Sequence, residues 1–85
     1  MSYYTYVLFS SKKDRYYVGS TQDVFRRLTE HNTGESAYTR TGKPWQIIAV
    51  FERDTRSEAV RLENRIKKRG IKRFLQDSES SIASS

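Results

Sequence analysis

Cysteine is absent, which removes disulfides, cysteine-based zinc sites and the stapled secreted scaffolds that depend on them. No apolar run approaches the roughly 20 residues of a bilayer span. The N-terminal residues also lack the hydrophobic h-region of a secretory signal, so a soluble cytoplasmic protein with no membrane partner is expected. Acidic residues are scarce, ten against sixteen Lys and Arg, for a net charge of +6. At 85 residues there is room for one modest core and no second domain. A basic excess on so small a domain favours a polyanionic partner, because neutralising phosphates releases condensed counterions. Mere solubility is the alternative. The distribution favours the former: nine of the sixteen bases fall between Arg53 and Arg73, opposed there only by Asp54, Glu58 and Glu63.

What is plentiful is tyrosine. Tyr4-Thr5-Tyr6 runs on into Val7-Leu8-Phe9, and Tyr16-Tyr17-Val18-Gly19 follows a polar stretch, Ser10-Ser11-Lys12-Lys13-Asp14-Arg15. Aromatic and β-branched runs bounded by turn-type residues predict an antiparallel hairpin over 3–9 and 15–19, with both tyrosine clusters on neighbouring strands. Alternation places Tyr4, Tyr6 and Leu8 on one face and Tyr3, Thr5, Val7 and Phe9 on the other. Neither face is polar, so helices are expected on both sides of the sheet. Gly19, lacking a Cβ, permits a positive φ or a close backbone approach.

Thr21 and Asp23 are alternative N-caps for a helix that Asn32-Thr33-Gly34 ends. After a polar loop over 33–44, Trp45 to Phe51 is expected as a central, buried third strand. Thr55-x-x-Glu58 has the pattern of a capping box, Glu58 reaching back to the Thr55 amide, and opens a helix over 56–68. Gly70 interrupts, and 71–75 forms a short third helix. Serine dominates beyond Gln76, so one domain over 1–76 with a disordered Ser-rich tail over 77–85 is expected.

The informative residues are charges that break an apolar helical stripe. Val24, Leu28 and His31 stack inward on the first helix, and Arg27 shares their face. Ala59, Leu62 and Ile66 stack inward on the second, and Glu63 lies among them. Inward charges are costly unless paired or coordinating something. Arg27 and Glu63 therefore either form a salt bridge between helices, or face a phosphate and a divalent metal respectively. His31 is either a hydrogen-bonded core histidine or a partner in whatever Arg27 touches. On the outer side, Arg61, Arg65, Lys68 and Lys72 form a ridge without interleaved glutamates, suited to phosphate contact more than to simple solvation.

These residues carry a resemblance. Tyr4-x-Tyr6, ten further residues, Tyr17-Val18-Gly19, an arginine eight residues later at Arg27, His31-Asn32, and Glu63 closing Glu58-Ala-x-x-x-Glu resemble the GIY-YIG nuclease domain. The likeness is greatest to small stand-alone members related to the N-terminal nuclease domain of the bacterial excinuclease, and it covers residues 3 to about 75. It implies an α+β fold of order ββαβαα, a three-stranded antiparallel sheet flanked by three helices. It also implies catalytic roles for Tyr6, Tyr17, Arg27 and Glu63, the last as metal ligand, with His31 at a position that holds histidine or tyrosine in the family. Three departures stand out. Tyr4 replaces the first glycine of the name motif, Ser20 replaces a lysine of the excinuclease, and Leu75 falls where some members carry a late asparagine.

The chemistry so implied is metal-assisted phosphodiester hydrolysis in DNA, RNA not being excluded, as in repair or recombination. One Mg2+ or Mn2+ on Glu63 is expected, since no second carboxylate adjoins it. Arg27 would hold the scissile phosphate. Tyr17 is the candidate base and Tyr6 its hydrogen-bond partner, although a free phenol, with a pKa near ~10, is a poor base at neutral pH. Arg26, Tyr38, Arg40 and Lys43 join the ridge residues as candidate nucleic-acid contacts. The competing reading is a binding module that keeps the fold without cutting, and a third is a small scaffold docking on a larger machine. A protein partner would be a source of specificity.

Overall fold

The computed structural model describes residues 2–35, 37 and 39–83, with 78–83 as backbone alone. Tyr38, one of the expected nucleic-acid contacts, and Ser84 and Ser85 of the expected tail lie outside the described residues. Strands β1 (Tyr3–Ser10), β2 (Arg15–Thr21) and β3 (Gln46–Arg53) form one sheet. The helices are α1 (Val24–Thr33), α2 (Arg56–Arg69) and α3 (Ile71–Ala83). Both strand pairs are antiparallel and the spatial order is β2-β1-β3. The predicted ββαβαα order is therefore present. No helix among the described residues is long and apolar enough to cross a membrane.

The central strand is β1, not β3 as the apolar run from Trp45 to Phe51 suggested. As an edge strand β3 alternates exposed and half-buried residues, and Ile48 and Val50 are each 44% exposed. An irregularity opposite Val7 and Leu8 explains the unbroken apolar run. Val7 pairs with Ala49 but Leu8 pairs with Ile47, so Ile48 is the extra residue and strand alternation reverses there.

The two faces of β1 organise two half-cores, as its doubly apolar pattern requires. On one face, Val7 and Val18 pack against Leu62 and Ile66 of α2, with Phe74 and Leu75 of α3 at the margin. Thr5, also on that face, is buried and donates its hydroxyl to the Ala59 carbonyl at 2.7 Å, tying α2 to the sheet. On the other face, Tyr6, Leu8 and Trp45 form the second half-core, with Tyr17, Ile47 and Val24 and Leu28 of α1 against it.

The caps follow the sequence closely. Asp23, rather than Thr21, caps α1, accepting from the Arg26 amide at 3.0 Å, while Thr21 Oγ1 accepts from the Asp23 amide. Thr55 caps α2 by accepting from the Glu58 amide, but Glu58 returns to the Thr55 hydroxyl and not to its amide. Gly70, at φ 96°, takes a backbone conformation that disfavours side chains and ends α2 with a turn directly into α3. The α3 backbone is helical to Ala83, past the expected stop near Leu75, and an Arg69–Asp77 ion pair at 2.9 Å fastens its first half to the end of α2.

Gly19 is required by proximity. A Cβ there would fall 2.6 Å from the Tyr6 hydroxyl and 2.8 Å from the adjacent ring carbon, inside van der Waals contact. Gly19→Ala is expected to destabilise the domain by about 1–3 kcal/mol through overpacking against a fully buried ring. Chemical denaturation measures it, and an unchanged midpoint would contradict the close approach.

Candidate active site

The Tyr6 phenol is the inner end of a buried polar chain. Its ring is 1% exposed and its hydroxyl lies 3.1 Å from His31 Nε2. His31 Nδ1 is 2.7 Å from Thr39 Oγ1, and the Thr39 carbonyl accepts from the Trp45 indole at 2.8 Å. Burial raises the Tyr6 pKa, and the Arg27 guanidinium, set against the phenol oxygen, partly offsets that. Arg27 is in turn held further in its charged form, first by Tyr6 and then by the neighbouring charges. A neutral imidazole between the two hydroxyls donates from one ring nitrogen and accepts at the other.

His31 is therefore fully buried with both ring nitrogens engaged. Of its two sequence readings, the geometry matches the hydrogen-bonded core residue. It stands behind Tyr6 as a positioning group and does not reach the surface where a substrate would lie.

Tyr17 occupies the outer layer. Its half-buried ring packs edge-on to His31 at 4.8 Å between centroids and lies 6.3 Å from the Tyr6 ring. Arg27, with a side chain 35% exposed, pairs with Glu30 at 3.2 Å. The salt bridge between Arg27 and Glu63 that the sequence allowed does not form.

Glu63 arrives from the opposite face of the sheet. Its Oε1 accepts from the Ser20 hydroxyl at 2.9 Å and its Oε2 from the Lys67 ammonium at 2.7 Å, and its side chain is 17% exposed. Ser20 immediately follows Gly19, against which Tyr6 rests. Phenol and carboxylate thus flank one peptide of β2 from its two faces, and the Glu63 charge contributes to the raised Tyr6 pKa. Because β2 is an edge strand, groups from both faces can converge around its outer side.

Glu63 belongs to no multi-ligand cage: among the described residues no group of three or more His, Asp or Glu could hold a metal. A single partly exposed carboxylate fits a hard, hydrated ion such as Mg2+ or Mn2+, which keeps most of its waters, and does not fit a zinc-type cage. Lys67 adjoins the same oxygens, so a bound ion and the ammonium would share one carboxylate.

The expected basic ridge does not adjoin this site. Arg61 and Arg65 lie on the flank of α2 facing β3, around a groove of about 340 Å³ with Arg53, Glu58 and Leu62. Lys68 is exposed on α2, whereas Lys72, beyond the Gly70 turn, belongs to a different helix. Arg26 is exposed and pairs weakly with Glu30 at 3.9 Å. Arg40 is exposed and donates to the Gly34 carbonyl, and Lys43 is exposed in the same loop. Ser20 and Lys67 were missed by the sequence reading. Lys67 was findable, since it lies four residues after Glu63 on the same helical face.

A sheet edge that gathers two phenols, a guanidinium and a carboxylate around one glycine marks a small α+β domain of the nuclease type. The chain matches the GIY-YIG catalytic domain over residues 2–74 and belongs to that family. It is 41% identical over 68 residues to a UPF0213 protein of Cupriavidus necator, covering 79% of this chain and 73% of that one. A UPF0213 protein of Halobacterium salinarum is 49% identical over 53 residues, covering 61% and 69% respectively. The solution NMR structure of the UPF0213 protein BH0048 from Bacillus halodurans shares the fold at a TM-score of 0.54 and 30% identity, over 96% of this chain and 85% of that one.

The buried imidazole makes stability depend on pH. Burial, and then the Arg27 charge, hold His31 below its ordinary pKa, with Glu30 opposing weakly. The unfolded chain binds a proton that the folded chain refuses, so this contribution is present above about pH 6.5 and is lost as pH falls through that value. Thermal unfolding is expected to weaken from about pH 7.5 to about pH 5.5, with His31→Gln less stable throughout but flatter across that window. Parallel profiles for the two proteins would contradict a neutral buried His31.

Proposed function

We propose that this protein is a divalent-metal-dependent endonuclease that hydrolyses phosphodiester bonds in DNA, in a repair or recombination setting. The observation that carries it is the convergence of Tyr6, Tyr17, Arg27 and Glu63 on the two sides of the Gly19–Ser20 peptide. Family membership supports the same chemistry.

Arg27 keeps part of its side chain accessible beside Tyr6 while Glu30 fixes its orientation, so it can receive a phosphate without first reorganising. A preset charge of this kind stabilises the negative charge that builds on the phosphoryl oxygens during attack. Glu63 would hold one Mg2+ or Mn2+, which when bound supplies Lewis-acid polarisation of a phosphoryl oxygen and neutralises the leaving alkoxide. Ser20 fixes one oxygen of that carboxylate, and Lys67 supplies a second positive group beside it. A cation at this point also answers for the lysine that Ser20 replaces.

Tyr17 is the group we assign to the attacking water: its phenol oxygen orients the water, and in the phenolate form it takes up the water's proton as the new P–O bond forms and the P–O bond to the leaving oxygen breaks. Tyr6 is unsuited to that role because burial favours its neutral form. It serves instead to hold Arg27 and to lock His31.

Incubation of DNA with Mn2+ or Mg2+ tests this reading. Cleavage is expected with metal, to vanish with a chelator, and to be lost in Glu63→Gln. Removing the phosphate-holding charge in Arg27→Ala is expected to cost about 10²–10³-fold in rate. Tyr17→Phe is expected to be strongly impaired while keeping its fold. Cleavage that survives chelation, or a Glu63→Gln variant as active as the unaltered protein, would overturn the metal role. Binding without cleavage on flapped, branched and plain DNA would replace the enzyme with a binding module.

A further inference from the structure

Three grooves follow one another along the outer side of β2. The first, of about 320 Å³, lies at its C-terminal end between Ser20 and Thr21 of the strand, Gln22 just beyond it, Tyr3 of β1, and Arg56 and Ala59 of α2. The second, of about 480 Å³, is lined by Tyr16, Tyr17, Val18, Lys67 and Ile71. The third, of about 210 Å³, lies at the N-terminal end around Lys13, Arg15, Tyr16 and Trp45. The second and third share a lining residue, and a hydrogen-bonded carboxylate joins the first to the second. Glu63 bonds Ser20 of the first groove and Lys67 of the second, and Tyr16 lines both the second and the third.

Cations recur along this line, as Arg56, Lys67, Arg15 and Lys13, and the Tyr16 and Tyr17 rings lie between Lys67 and Arg15. Lys13, Arg15 and Arg56 are exposed and make no ion pair among the described residues. The seven residues of β2 rise about 3.3 Å each, giving a line of about 20 Å, long enough for several nucleotides.

We infer that one nucleic-acid strand runs along the outer side of β2, its phosphates on Arg56, Lys67, Arg15 and Lys13, with Glu63 near the middle of its course. The inference rests on the endonuclease reading for its polymer and goes beyond it in naming a single strand and a path. A row of cations beside aromatic rings is how proteins track single strands. A duplex would call for a second, parallel row of cations, whereas Arg61 and Arg65 lie across α2 toward β3. Lys67 turns toward Glu63 and marks the point where the strand passes the carboxylate.

The test compares two variants with equal charge loss, Lys13→Ala/Arg15→Ala/Arg56→Ala and Arg61→Ala/Arg65→Ala/Lys68→Ala. Each binds a fluorescent single-stranded DNA of about 12 nucleotides, read by anisotropy across a salt series in chelator so that no cleavage intervenes. The first triple variant is expected to bind at least about tenfold more weakly at low salt, with a salt dependence shallower by about 2 in the log–log slope. The second is expected to keep the slope of the unaltered protein. Equal losses in both variants, or a loss confined to the second, would overturn the path while leaving the endonuclease reading in place. A duplex of the same sequence bound as tightly as the single strand would overturn the single-strand assignment. An unaltered protein that binds no DNA at any salt would sink both this inference and the reading beneath it.

Discussion

The Tyr6 hydroxyl resting on the Gly19 backbone is the constraint on which the rest of the molecule depends. A buried phenol left without partners would cost about 1–3 kcal/mol. Here His31, Thr39 and Trp45 extend the hydrogen bonding through one half-core, and no buried side-chain polar atom among the described residues lacks a partner. Satisfying the phenol in this way fixes α1 against the sheet, because His31 lies on its last turn and Arg27 one turn earlier. It also brings β2 close enough that only glycine fits at position 19.

From that contact the arrangement of the site follows. Strand alternation sends Gly19 toward Tyr6 and Ser20 toward α2, so one peptide separates the two halves of the constellation. Had β2 been a central strand, its neighbours would have kept the halves apart. At the edge they meet. The same edge leaves free a line of grooves with cations and rings, which is why the proposed strand path and the proposed chemistry share one element. The two faces of α2 are distinct in consequence: Glu63 and Lys67 serve the β2 side, while Arg61 and Arg65 look toward β3.

Much of the fold was legible because local rules were decisive. Two tyrosine runs around a polar turn specify the hairpin, a doubly apolar β1 calls for cover on both faces, and Asp23, Thr55, Gly34 and Gly70 mark helix ends by known chemistry. The inward placement of Arg27, His31 and Glu63 could be read from periodicity alone. What could not be read was tertiary. An apolar run such as Ile47 to Phe51 looks like a central strand unless the irregularity at Ile48 is known. Periodicity says that Glu63 points inward but not that Ser20 awaits it. The expected basic ridge is split by the Gly70 turn, which puts Lys72 on α3, and which side of α2 Arg61 and Arg65 face depends on how the helix is rolled on the sheet by Thr5, Leu62 and Ile66.

The central claim is that Glu63, beside Ser20 on the edge strand, is where a divalent ion meets this protein. Substoichiometric Mn2+ added to isotope-labelled protein, followed by amide NMR, tests it most directly, since the paramagnetic ion broadens only signals near its seat. The expected result is selective loss of the amides of Gly19 and Ser20 on β2 and of residues around Glu63 and Lys67 on α2, with those of Phe25 and Ile48 remaining sharp. Broadening centred on another carboxylate such as Glu52 or Asp77, or uniform broadening with no focus, would contradict it.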